Sequence, residues 1–279
     1  MTDIDHTTFA REVQRTGGRL SPGRAGLLFA REVAYPDLLP SASLAILDDL
    51  AIEAQRAIAP QPADPEARGI ALADYLFNQA GYQGNADDYA DPRNSYLNQV
   101  LSRRLGLPIS LSVIFLEVGW RLQLPVAGVG LPGHFIVSVS GSDGPVYLDP
   151  FHGGRQLNQD DCRNLALAAL GSQAVFEPSW LAPTAPRDIV ARMLNNLRAF
   201  YVSVEDWPLA IAVLTCLQAL QPDLPDHVRD LGVLHYRNNS FKKASELFND
   251  YLVLRPDAPD ADSVRDGRNR LWEELARLN

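Results

Sequence analysis

Leu197, Ala210, Leu214 and Pro222 recur 34 residues downstream as Leu231, Ala244, Phe248 and Pro256. An interval of this length, with alanine where helices approach closely and proline after the second helix, constrains the chain to stacked helical hairpins. One hairpin cannot bury its apolar face alone, so each unit must cover the next. The final segment, residues 261–278, reads as the polar-backed helix that closes such an array. The repeat region is therefore expected over residues 187–279, as two repeats plus a capping helix.

The 34-residue interval is that of tetratricopeptide repeats, which hold protein or peptide partners on a concave face. A break precedes them. Pro178, Pro183 and Pro186 crowd one short stretch and mark the expected boundary with a first domain over residues 1–180.

That first domain changes period part-way along. Residues 9–58 read as helices: Leu27, Leu28 and Val33 form one stripe, stopped at Tyr35-Pro36. Leu44, Leu47, Leu50, Ala51 and Ala54 form another, running to Ile58. APQPADPEA (residues 59–67) is expected to be a loop, and residues 70–80 a third helix ending at Gly81. The polar segment GYQGNADDYADPRN carries Asp87, Asp88, Asp91 and Asn94 without the spacing of a calcium loop, so these are read as turn residues. SYLNQVLSRRLG then reads as a helix capped by Asn94 or Ser95, with Arg103 and Arg104 as its solvated end. GLPISLS follows and opens a helix apolar nearly all round, which must be central and buried.

After Pro125 the pattern turns to strands: VAGVG, HFIVSVS and PVYLD. A two-residue loop at Gly141-Ser142 would pair Ser140 with Asp143 and set His134 directly opposite Asp149. Any other register of odd sum keeps the two on one face as diagonal neighbours. The fold class that follows is α+β, a helix-rich domain with a small antiparallel sheet, and then an all-α repeat domain.

Composition narrows the function classes. With 34 acidic against 25 basic residues the net charge is −9, a field that repels a phosphate backbone, so nucleic acid is not an expected partner. No apolar run reaches the length of a membrane span, and the N-terminus has no apolar core of the signal-peptide type, so a cytoplasmic protein without membrane contact is expected. Cys162 and Cys216 lie far apart without metal spacing and are read as buried structural thiols. No cofactor and no metal are expected. His152 lies three residues past Asp149 and could join His134 and Asp149 around a metal, but its Phe-His-Gly-Gly setting reads as a turn with the imidazole facing solvent.

A histidine opening one strand and an aspartate ending its hairpin partner form a pair that fixes an imidazole tautomer and leaves the other ring nitrogen free as a base. The missing member is a nucleophile at a helix start, and Ser110 stands in such a place. Its other reading is a cap that satisfies a free backbone N–H, serine being a preferred capping residue.

In this order, the motifs GYQGNADDYADPRNSYLNQVL, RRLGLPISLS, LPGHF and LDPFHGG, followed by the repeats, resemble the SirB group of bacterial proteins, which join a transglutaminase-like (papain-like) domain to tetratricopeptide repeats. The resemblance implies that His134 and Asp149 occupy the His and Asp positions of that superfamily's triad. At the nucleophile the sequence departs from it. Active members carry a cysteine after a glycine at the start of the central helix, and there is none between Gly106 and Ser112. Counting back from the shared Leu-Pro after the helix puts Pro108 at that place, and Ser110 only with a slip of two residues.

Three functions fit these readings. The first is a non-catalytic or degenerate transglutaminase-like scaffold or regulator that binds a protein partner through its repeats. The second is a hydrolase or acyltransferase with catalytic residues Ser110, His134 and Asp149. The third is a domain that uses His134 and Asp149 to hold a small polar molecule.

Overall fold

The computed structural model describes residues 3–171 and 174–278. The extreme ends of the two expected domains, Met1, Thr2 and Asn279, lie outside the described residues, as do the side chains beyond Leu271 on which the polar back of the last helix was read.

The first domain opens with α1 (Phe9–Thr16), α2 (Pro22–Val33), α3 (Pro40–Ile58) and α4 (Pro65–Asp74). Helix α4 starts inside the stretch expected to be a loop. Proline is tolerated in a first helical turn, where its missing N–H has no partner to lose, and the Asp64 carboxylate accepts from the Ala67 N–H to cap that turn. The helix runs on into one wide π turn, Tyr75–Gln79, closed by Ala80 N–H on the Tyr75 carbonyl.

Next come β1 (Gln83–Gly84), α5 (Leu97–Arg103), β2 (Leu105–Gly106) and the central helix α6 (Pro108–Arg121). The expected helix over residues 95–106 is thus shorter than its pattern. Arg104 turns left-handed (φ 59°) and ends it, and the next two residues pair in parallel with β1. That pairing spans about twenty residues of sequence and has no local signal. Nor is Asn94 or Ser95 the cap: Tyr96 holds that place, without a side-chain bond. Arg103 is not a solvated end either, because it pairs with the buried Asp91 carboxylate at 3.1 Å. Helix α6 is buried from Pro108 to Gly119, as its all-round apolarity required. Glu117 within it is 4% exposed and accepts from Ser21 Oγ, the Gly23 N–H and Arg121, tying α6 to the start of α2.

The four strands β3 (Val126–Leu131), β4 (His134–Gly141), β5 (Gly144–Asp149) and β6 (Arg155–Leu157) form one antiparallel sheet in chain order. In the β4–β5 hairpin Gly141 pairs with Gly144 and Val137 with Leu148, so Ser142 and Asp143 make the loop. The register expected from a Gly141-Ser142 loop is therefore shifted. Gly144 takes a φ of 121°, open in practice only to glycine, and so glycine closes this loop rather than opening it. The alternation of side chains survives the shift: His134 and Asp149 are diagonal neighbours on one face.

Helix α7 (Gln159–Leu170) covers a small cluster of Val129, Leu131, Ile136, Tyr147, Leu157 and Cys162. The chain then reaches the helical region α8 (Pro186–Ser203), α9 (Trp207–Leu220), α10 (Asp226–Arg237), α11 (Phe241–Leu254) and α12 (Ala261–Leu278). These helices do not stand apart from the first domain. One apolar core runs from Ile4 through Phe115 and Val137 to Leu194, Leu214 and Leu271, and the Tyr96 and Tyr201 hydroxyls meet at 2.8 Å across the join.

Candidate functional site: a buried aspartate between two histidines

The tight turn between β3 and β4 is Pro132-Gly133. Gly133 has φ 68°, and a side chain on it would run into Ala169. The turn delivers His134 as the first residue of β4. Asp149 ends β5 and caps the short turn Pro150–His152, its Oδ1 accepting from the Phe151 N–H at 3.1 Å. Beyond it, Gly154 (φ 74°) lies against Phe77 and Ala73 of the α4 end, where no Cβ would fit. His152 is thereby folded back over Asp149.

The carboxylate of Asp149 is fully buried. Its Oδ1 lies 3.0 Å from His134 Nε2 and its Oδ2 2.7 Å from His152 Nδ1. An ionised carboxylate only accepts, so both of these nitrogens carry a proton, and in the neutral form of each ring the lone pair sits on His134 Nδ1 and His152 Nε2. Burial alone would push the Asp149 carboxyl up; the hydrogen bonds and charge of His134, then of His152, outweigh it and hold the group below its ordinary value. The His134 side chain is 12% exposed and that of His152 53%. Phe151 packs edge-on against both imidazoles and against Tyr89.

Ser110 is arranged differently. It is fully buried at the third position of α6, accepts the Leu107 N–H at 2.9 Å and donates to the Asn94 carbonyl at 2.6 Å. All its hydrogen bonds are with main-chain groups, and among the described residues none joins it to His134. Ser112 Oγ donates back to the Pro108 carbonyl. Asn94, Asp91 and Asp88, which could have suggested calcium, form a polar loop closed on itself: Asn94 accepts from Asn85 and donates to the Asp88 carbonyl, and Asp91 holds Arg93 and Arg103. Both thiols are buried, and burial pushes Cys162 up to about 11 and Cys216 up to about 12, so neither is a ready nucleophile.

Two features had little or no sequence signal. The three-residue spacing from Asp149 allowed His152 to join His134 and Asp149, but its turn setting read as solvent-facing, and no pattern announced that the Gly-Gly turn folds it onto Asp149. Arg192 is one of three arginines on α8, yet it crosses from the repeat side to donate to the carbonyls of Leu131 (2.9 Å) and His134 (2.8 Å), with its guanidinium over the Phe135 ring. It clamps the turn that carries His134. Further along α8, Asn195, Arg198 and Val202 join Leu214, Asp230 and Val233 around a groove of about 680 Å³.

Residues 41–195 match the transglutaminase-like superfamily. The chain belongs to that superfamily. Residues 197–269 match the tetratricopeptide repeat, so the transglutaminase-like match ends and the repeat match begins within α8. Among curated proteins, the chain is 41% identical over 194 residues to a UPF0162 protein of Xylella fastidiosa, covering 68% of this chain and 69% of that protein. A UPF0162 protein of Vibrio cholerae is 28% identical over 209 residues, 75% of this chain and 77% of its own length. F-box only protein 21 of Mus musculus is 37% identical over 98 residues, 32% of this chain but only 16% of that protein. No solved structure matches. The transglutaminase-like domain thus brings a His-Asp pair together at the strand ends, and no helix among the described residues is long and apolar enough to cross a membrane.

Proposed function

We propose that this protein is a degenerate transglutaminase-like scaffold, cytoplasmic, which binds a protein or peptide partner through its repeats and performs no acyl transfer at Ser110. The domains divide at residues 1–180 and 187–279, with Arg192 and the shared core holding them as one body. The observation that carries the reading is the saturation of Ser110: its hydroxyl already satisfies the Leu107 N–H and the Asn94 carbonyl in a fully buried position. A nucleophile must be free to meet its base at about 2.6–3.2 Å. For Ser110 to act with His134 and Asp149, the first turn of α6 would have to open.

The repeat groove supports the binding half of the proposal. Val202 and Val233 are exposed at 40% and 44%, beside the Arg198–Asp230 pair. This combination suits a partner segment with an apolar anchor and flanking polar groups. The test is a serine-directed acylating probe on the intact chain, read by peptide mass spectrometry. No label at Ser110 is expected. Label at Ser110 that disappears in Ser110→Ala would overturn the reading in favour of the hydrolase. A peptide-display selection against the wild-type chain, counter-screened on Val233→Asp, reads the groove: binders that lose affinity for the variant support it, and binders indifferent to it do not.

A further inference from the structure

Among the described residues Asp149 receives three hydrogen bonds, from His134, His152 and the Phe151 N–H, and none from an Arg or Lys side chain. A fully buried carboxylate held only by two imidazoles and an amide keeps most of its negative charge uncompensated when the imidazoles are neutral. The donor atoms of His134, Asp149 and His152 lie within 4.8 Å of one another. We propose that these three side chains form a binding site for a divalent transition-metal ion, ligated by His134 Nε2, His152 Nδ1 and an Asp149 oxygen. This site goes beyond the scaffold reading and does not depend on it, since metal binding requires nothing of Ser110 or of the repeat groove.

The distances support it. With ligand bonds of about 2.0–2.1 Å, neighbouring donors of a tetrahedral ion lie roughly 3.3 Å apart. The two His–Asp separations, 3.0 Å to Oδ1 and 2.7 Å to Oδ2, are near that spacing, and one donor atom from each of the three residues lies within 4.8 Å of the others. A small shift of one imidazole brings both nitrogens and a carboxylate oxygen onto one ion. The mobile partner is identifiable: His134 and Asp149 stand on paired strands, whereas His152 lies on a half-exposed turn followed by Gly153 and Gly154. On binding, each imidazole moves its proton from the nitrogen facing Asp149 to the outer one. Both ligands stay neutral, the carboxylate stays ionised, and no proton need leave the site.

The donor set selects the metal. Two imidazoles and one carboxylate suit zinc, cobalt, nickel or copper, while magnesium and calcium prefer all-oxygen sites. The exposed side of His152 leaves room for water to complete the coordination shell. Arg192 is engaged by the carbonyls of Leu131 and His134 rather than by the carboxylate, and among the described residues Arg155, paired with Asp149 across the strands, makes no ion pair with it either.

The test uses the full chain without a histidine tag, stripped with chelator and titrated with cobalt(II), followed by its visible d–d absorption, and with zinc by calorimetry. One equivalent per chain is expected, with His152→Ala and His134→Ala each weakening binding tenfold or more. His227→Ala and His235→Ala, which remove imidazoles elsewhere, should leave it unchanged, and magnesium should not compete. His152→Ala is the decisive variant, because its exposed side chain can be removed without unfolding the domain. Absence of binding, or binding unaffected by His152→Ala, overturns the proposal. Neither result bears on acylation at Ser110, so failure here is distinguishable from failure of the scaffold reading.

Discussion

Around Ser110 every polar group named meets another inside the protein: the hydroxyl, the Leu107 N–H, the Asn94 carbonyl and amide, Asn85, Asp91 and Arg103 close on one another. Around Asp149 only the carboxylate is enclosed. Among the described residues its two imidazoles each form a hydrogen bond through one nitrogen and none through the other. Both clusters are polar and lie on the same domain, yet one is complete and the other retains binding capacity. Saturated polar groups hold a fold in place; unsaturated ones at a surface are where a ligand can gain something the protein has not already supplied.

The sharpest way to break this comparison is to remove the shared carboxylate. Asp149→Ala leaves two imidazoles and the Phe151 N–H without their acceptor, and should cost about 3 kcal/mol, measured by urea denaturation. The same residue carries a pH dependence. Its folded-state pKa is held down, so the unfolded chain binds the proton more readily; Asp149 adds stability above the ordinary carboxylate value, and that contribution is lost as the pH falls through the depressed folded value. Asp149→Asn should flatten that part of the acid unfolding curve. An unchanged curve would mean that the carboxylate is not the group holding the hairpin end.

Arg192→Met comes next. It removes two charge-assisted bonds to the β3–β4 turn at an expected cost of about 2 kcal/mol, and amide exchange at Phe135 should rise with it. A smaller effect, about 1–2 kcal/mol, is expected for Ser110→Ala, the value of a buried cap. If this variant were neutral, the closed cradle would not be what fixes the start of α6. The smallest effect belongs to His152→Ala, about 1 kcal/mol, because it removes one bond to the buried carboxylate while opening a path for water to reach the freed oxygen. Ser110 would then be a structural residue, and His152 one whose loss water partly makes good.

Parts of this arrangement were legible beforehand because their signals are local. The 34-residue recurrence depends on helix spacing, the buried α6 on its all-round apolarity, and the shared face of His134 and Asp149 on strand alternation. That face survived an error in register because any odd-sum pairing preserves it. The failures share a cause as well. The end of α5, the β1–β2 pairing and the exact hairpin loop each turned on a backbone choice that side-chain periodicity does not encode: a left-handed Arg104 that hands the chain to a strand paired with distant Gln83, and a positive φ at Gly144.

The sequence by itself determined the two-part α+β and helical-repeat plan, the family, and the His-Asp pair, because periodicity and motif order are written along the chain. Tertiary structure alone decided that Ser110 turns inward to cap α6, that His152 folds onto Asp149, and that Arg192 reaches across from the repeat side. In each case a polar side chain had several partners of equal chemistry within its reach. Which one it takes is settled by what burial and chain geometry bring within about 3 Å, a distance no spacing in the sequence specifies.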